Sequence, residues 1–135
     1  MRSVSRALAV SALLTLGSCA LMPMHGTGGP SPAKQAEQAL AVGVHDYENG
    51  HYKRSAQSLS HALALGLPSK KEQITAHKYL AFIDCTSNHQ GACRKEFEQA
   101  LAIDPNFELS TAEAGHPIWG PIFSSVKAKL PAAKR

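Results

Sequence analysis

The sequence lacks the motifs of the common enzyme active sites. No HExxH, GxSxG, P-loop or glycine-rich dinucleotide-binding pattern occurs in it. It has seven histidines, but none is accompanied by carboxylates at the spacing of metal ligands. We therefore predict neither an enzyme nor a metal site, and expect no cofactor and no small-molecule substrate.

The apolar run near the N-terminus is short, and the positive charge of the chain is modest. The run ALAVSALLTL covers residues 7–16, whereas a membrane-spanning helix needs roughly 20 apolar residues. Arg2 and Arg6 precede it, in the order typical of a secretory signal peptide at residues 1–18. Cleavage would remove two of the 14 Lys and Arg residues and none of the 10 Asp and Glu residues. The small excess of positive charge that remains is not the clustered basic face of a nucleic-acid-binding protein. We therefore expect no nucleic-acid partner.

The sequence LGSC, residues 16–19, spans the end of the predicted signal. An apolar residue, two small residues and a cysteine resemble the lipobox of bacterial lipoproteins. In that family the cysteine thiol receives a diacylglyceryl group, the signal is cut before it, and the new N-terminus is acylated. The resemblance implies a lipid anchor on Cys19, and Ala20 in the next position implies the outer membrane. The alternative is a simple secretory signal with a chance cysteine.

A flexible linker is predicted to follow the anchor. Residues 20–33 contain three glycines and three prolines, a composition that cannot bury a core. We assign residues 19–33 to the lipidated N-terminus and linker, residues 34–130 to one folded domain, and residues 131–135 to a basic tail. The linker would let the domain stand off the membrane, facing the periplasm.

The folded part is rich in helix-forming residues and repeats itself at an offset of 38 residues. The offset aligns Gly43 with Ala81, Ser55 with Cys93, Leu59 with Phe97, and Ala62 with Ala100. This spacing resembles the tetratricopeptide repeat, in which small residues let two antiparallel helices approach closely and large residues fill the next hairpin. The resemblance implies an all-α fold with two helical hairpins. The first repeat departs from the family in its longer link, GLPSKKEQ.

The C-terminal part of the domain is predicted to close the open end of this short stack. Ser110 and Glu113 have the spacing of a helix-capping box. Residues 122–130 place their apolar side chains on one helical face, which favours a capping helix. Trp119, the only tryptophan, is expected to pack beside it.

Cys85 and Cys93 are the two cysteines that remain once Cys19 carries lipid. They lie nearly symmetrically about the turn TSNHQGA between two predicted helices. In an oxidising compartment such a pair favours a disulfide, which over so short a loop stabilises a protein by roughly 2–3 kcal/mol. The alternative is two buried thiols in small-residue positions.

In the tetratricopeptide family the first helices of successive repeats line a groove that binds a peptide or helix of a partner. By position, this predicted groove carries over to Glu37, Leu40, Val44 and Tyr47 in the first repeat and to Thr75, Lys78, Phe82 and Thr86 in the second. Its apolar members would form a floor for a partner helix. The alternative is that some of them are core residues.

The lipobox, the short repeat domain and the closing segment FELSTAEAGHPIWGPIF together resemble the TssQ-type lipoproteins that accompany type VI secretion systems. The resemblance implies a membrane-anchored periplasmic adaptor that binds another envelope protein, a membrane component of the secretion system. The alternatives are a pilotin-like or type IV pilus assembly lipoprotein and an accessory protein of a cell-wall enzyme.

Substitution of the predicted anchor tests this interpretation. We expect Cys19→Ser to abolish palmitate labelling and to leave a soluble or unprocessed form, because the thiol that receives the lipid is gone. Labelling of cells with radioactive palmitate, followed by fractionation, measures both effects. Continued labelling of the variant would contradict the lipobox.

Overall fold

The structure, a computed structural model, describes residues 29–130. Its helices are α1 (Pro32–Glu48), α2 (Tyr52–Leu65), α3 (Lys70–Thr86), α4 (Gln90–Ile103), α5 (Thr111–Ala114) and α6 (Trp119–Ala128). This part of the chain contains no strand, so the all-α prediction is confirmed. None of these helices is both long enough and apolar enough to cross a bilayer. The predicted signal peptide, Cys19 and the basic tail lie outside the described residues.

The first helix begins inside the predicted linker. α1 starts at Pro32, and the Ser31 side chain caps it by accepting a hydrogen bond from the Lys34 backbone N–H at 3.3 Å. Proline is favoured in the first helical turn because its missing N–H would have no partner there, and serine is a preferred N-cap residue. The last two residues of the predicted linker 19–33 therefore belong to the domain.

The helices pair as two hairpins, α1 with α2 and α3 with α4. Small residues set the distance within the first hairpin. A Cβ atom added at Gly43 would lie 2.7 Å from the side chain of Leu59, and the Ser55 hydroxyl donates a 2.7 Å hydrogen bond to the Gly43 carbonyl. In the second hairpin the equivalent positions hold Ala81 and Cys93, which are fully buried. Close packing at small residues explains the repeat that the sequence shows.

The repeat extends to the turns within the hairpins. Gly50 and Asn88 occupy equivalent positions and adopt φ angles of +76° and +62°, a left-handed conformation that glycine and asparagine tolerate. In each turn the following histidine donates its backbone N–H to the carbonyl of an aspartate five residues earlier, His51 to Asp46 and His89 to Asp84, both at 2.8 Å. These two histidines are thus turn residues at equivalent positions of the repeat.

The link between the hairpins is fixed by local hydrogen bonds and by the burial of Leu67. Gly66 ends α2 in a left-handed conformation, and Leu67 inserts into the core. Ser69 then caps α3, and its backbone N–H donates a hydrogen bond to the Glu72 carboxylate. This capping box lies within the inserted link, so the extra residues serve as the start of a helix.

The C-terminal helices close the end of the stack. Ser110 and Glu113 form the predicted capping box of α5. α6 packs against α4 and buries Phe123 and Val126, which confirms the capping helix. It begins at Trp119, three residues before the predicted start at 122. A Cβ atom at Gly120 would collide with the carbonyl of Ala114, so this glycine allows α6 to pack directly on α5.

Phe97 is the clearest test of this core. Its side chain is fully buried and contacts the rings of Phe82 and Phe123, with centroids 6.2 Å and 5.2 Å away. We expect Phe97→Ala to lower the free energy of unfolding by roughly 3–5 kcal/mol, because it removes a buried ring and leaves a cavity.

Thermal and urea unfolding measure this effect, and Val42→Ala is the control because Val42 is 51% exposed. Equal melting temperatures for the two variants would contradict this core.

Candidate partner-binding face

The predicted groove residues of the first repeat lie on α1 but differ in burial. Glu37, Val44 and Tyr47 are half-buried, whereas Leu40 is buried in the core with Leu59. Glu37 forms an exposed ion pair with Lys34, one turn earlier, at 3.5 Å. Three of the four positions therefore reach the surface, and Leu40 does not.

The predicted groove residues of the second repeat differ even more in their exposure to solvent. Thr75 and Lys78 line a surface cavity, and Thr86 is exposed. Phe82 is only 2% exposed. The prediction that Phe82 and Leu40 form an open groove floor is thus wrong for this conformation, and its alternative, a core role, holds for both.

Trp119 covers Phe82. The two rings stack with centroids 4.3 Å apart and an interplanar angle of 22°, and the His116 ring stacks on Trp119 in turn. The segment between α4 and α6 therefore folds back over part of the predicted groove. A sequence comparison with the repeat pattern could not reveal this, because the covering residue lies 37 positions further along the chain.

Glu113 of α5 joins the segment between α4 and α6 to α3 through an ion pair with Lys78. Its Oε1 accepts a hydrogen bond from Lys78 Nζ at 2.5 Å, and its carbonyl accepts one from Trp119 Nε1 at 2.9 Å. The Lys78 ammonium also lies 4.9 Å from the centroid of the Tyr79 ring, in cation–π range. Burial by itself would raise the pKa of Glu113, but hydrogen bonds from Lys78 and Ser110 outweigh it and hold this pKa below its ordinary value.

An aromatic row runs along this face from the first hairpin to the C-terminal segment. Its members, each in contact with the next, are Tyr52, Tyr47, Tyr79, Phe82, Trp119 and His116. Burial raises the pKa of Tyr47 to about 12, with smaller contributions from Tyr52, Tyr79 and Glu113. Tyr52 is 48% exposed and forms the open end of the row. The row ties the two hairpins together and leaves an aromatic surface at one end.

A basic cavity of about 480 Å³ opens beside the N-terminal half of α3. It is lined by Lys70, Lys71, Ile74, Thr75, Lys78, Asp104 and Phe107. Three ammonium groups thus surround an apolar floor with one carboxylate. Only Thr75 and Lys78 were predicted as binding residues. Lys70 and Lys71 were missed because they stand in the inserted link, and Phe107 because it reaches the cavity from the loop after α4.

The second hairpin brings its two cysteines together. Cys85 and Cys93 have Cα atoms 5.1 Å apart, within the range of disulfide bonds, and the structure joins them. Both are buried in the cluster that contains Phe82 and Phe97. The Cα separation thus allows the pairing predicted from the sequence. Cys93 occupies the repeat position that Ser55 holds in the first hairpin.

The histidines of the described residues do not form a metal centre. No three His, Cys, Asp or Glu side chains within residues 29–130 are grouped to hold an ion. His77 instead contacts Glu96 of α4, with Nδ1 and Oε2 2.6 Å apart. That contact joins the two helices of the second hairpin.

The Lys78–Glu113 pair predicts a specific pH dependence. We expect Glu113→Gln to lower the free energy of unfolding by about 1–2 kcal/mol at neutral pH, because a charged hydrogen bond is lost. The pKa of Glu113 is depressed in the folded protein. Its contribution is therefore complete above the ordinary carboxyl pKa and disappears as the pH falls through the folded value.

The difference between wild type and variant should accordingly shrink in acid, as urea unfolding at a series of pH values would measure. Glu72→Gln is the matched control, because Glu72 occupies the other capping box and has no lysine partner among residues 29–130. A pH-independent difference for Glu113→Gln would contradict the role of the ion pair.

Comparison with known proteins identifies no relative of this chain. The chain matches no protein-family model, no curated protein and no solved structure. Its function is therefore inferred from its own residues.

Proposed function

We propose that this chain is a membrane-anchored periplasmic adaptor lipoprotein that binds a partner protein through its helical-repeat surface. The partner is another envelope protein, and the resemblance to TssQ-type lipoproteins makes an accessory role in a type VI secretion system the specific form of the proposal. The observation that carries the binding role is the basic cavity, because two residues predicted for partner binding, Thr75 and Lys78, line it.

The anchor part of the proposal rests on the sequence. LGSC at residues 16–19 provides the lipidation site, and residues 20–31 provide the tether before α1. A myristoyl chain alone gives only marginal membrane binding, whereas several chains on Cys19 would hold the protein stably. We propose no non-protein group other than this lipid on Cys19.

The packing around α3 supports an adaptor. This helix packs against α4, and its residues Lys78 and Phe82 contact Glu113 and Trp119. A surface fixed before binding loses less conformational entropy when a partner docks. The described face therefore suits a protein that positions a partner.

Site-specific photo-crosslinking from the cavity tests the proposal. We replace Thr75 with the photoreactive amino acid p-benzoylphenylalanine, because Thr75 lines the cavity and is half-buried. Phe82 is unsuitable because it is buried beneath Trp119. After irradiation of living cells, we expect mass spectrometry to identify an envelope protein crosslinked to the Thr75 variant.

Lys95 is the control position, because it is exposed on α4 and does not line the cavity. A membrane component of a type VI system crosslinked only from position 75 would support the full proposal. A secretin, a pilus protein or a wall enzyme would keep the adaptor role and replace the type VI assignment. Equal crosslinking from both positions, or none in a folded and anchored variant, would contradict a partner site at the cavity.

A further inference from the structure

We propose that the basic cavity recognises an acidic and partly apolar segment of the partner protein. This inference rests on the proposed adaptor function and specifies the chemistry of its partner. The occupant is a short stretch in which aspartate or glutamate side chains alternate with large apolar ones. Its carboxylates meet Lys70 and Lys71, and its apolar side chains meet Ile74 and Phe107.

Two of the three lysines that line the cavity form no ion pair. Neither Lys70 nor Lys71 has a salt-bridge partner within residues 29–130, and both side chains are exposed. The neighbouring Glu72 contacts neither ammonium group; its Oε2 accepts hydrogen bonds from the backbone N–H and hydroxyl of Ser69. Asp104 is the only carboxylate in the lining, and its Oδ1 accepts a hydrogen bond from the Asn106 backbone. Two lysines are therefore available to a ligand carboxylate.

The floor of the cavity is apolar. Ile74 of α3 and Phe107 of the loop after α4 both line the cavity and are half-buried. A purely ionic ligand would leave this surface in contact with water, whereas a leucine or phenylalanine side chain would bury it. The volume of about 480 Å³ suits a few side chains of an extended or single-turn segment.

The chain already uses this combination of contacts at the adjacent position on α3. Glu113 places its carboxylate on Lys78, and six residues later Trp119 places its ring on Phe82. One short segment thus supplies an acid for a lysine and an aromatic ring for an apolar site. Lys70 and Lys71 lie about two turns before Lys78 on α3. They repeat the basic half of this arrangement without an ion-pair partner among residues 29–130.

The segments on either side of the described residues carry no acidic side chain. Residues 1–28 and 131–135 contain no aspartate and no glutamate. The proposal therefore places the complementary carboxylates on another molecule. This distinguishes the basic cavity from the covered part of the predicted groove, where the acid belongs to the chain itself.

Peptide binding to the full-length protein in detergent micelles tests the inference. The probe is a fluorescein-labelled peptide in which Glu and Leu alternate, and the comparison peptides replace every Glu by Lys or every Leu by Ser. We measure Kd by fluorescence anisotropy for wild type, for the double variant Lys70→Glu/Lys71→Glu and for the control Lys53→Glu/Lys95→Glu. Glutamate in the first turn of α3 suits the helix dipole, so the first double variant should fold.

We expect only the Glu-Leu peptide to bind measurably, and its Kd to increase about tenfold in the cavity variant and to stay unchanged in the control. Equal binding of the Lys-Leu peptide, equal loss in both double variants, or no saturable binding of the Glu-Leu peptide would overturn the inference. Crosslinking from Thr75 in the Lys70→Glu/Lys71→Glu background separates this failure from that of the adaptor role. A partner still captured there would keep the adaptor role and refute the acidic segment.

Discussion

The stack of Trp119 on Phe82 is the contact on which the rest of this face depends. Two helical hairpins alone leave the end of the second one exposed, and repeat stacks normally need at least three repeats to bury their core. By covering Phe82 and leading into α6, Trp119 completes a core that also contains Phe97 and Phe123. The same contact determines which surface of α3 is left open to solvent.

This closure divides α3 into two regions with different surroundings. Its C-terminal half is covered by the chain itself, through the ring of Trp119 and the carboxylate of Glu113. Its N-terminal half borders the basic cavity, where Lys70 and Lys71 have no acid partner within residues 29–130. A partner that uses the helical surface therefore meets lysines and a small apolar floor in place of a long apolar groove.

The repeat itself was predictable because its causes are local and periodic. Gly43 and Ser55 mark positions where two helices touch, and the spacing alone identifies them with Ala81 and Cys93. The capping box of Ser110 and Glu113 and the apolar face of α6 were also readable, since each involves residues within a few positions of one another. The start of α1 was misplaced because Ser31 and Pro32, which begin it, are residue types that are also common in linkers.

The sequence by itself determined that the described chain forms two helical hairpins closed by a helix, because small and large residues at fixed spacing permit only close antiparallel packing. It also determined that Cys85 and Cys93 lie at mirrored positions about one turn. Only the tertiary structure decided which of the predicted groove residues are accessible. Phe82 is buried by a residue distant in sequence, and Phe107 reaches the cavity from a separate loop. Such contacts depend on where the chain returns in space, and no local periodicity specifies that return.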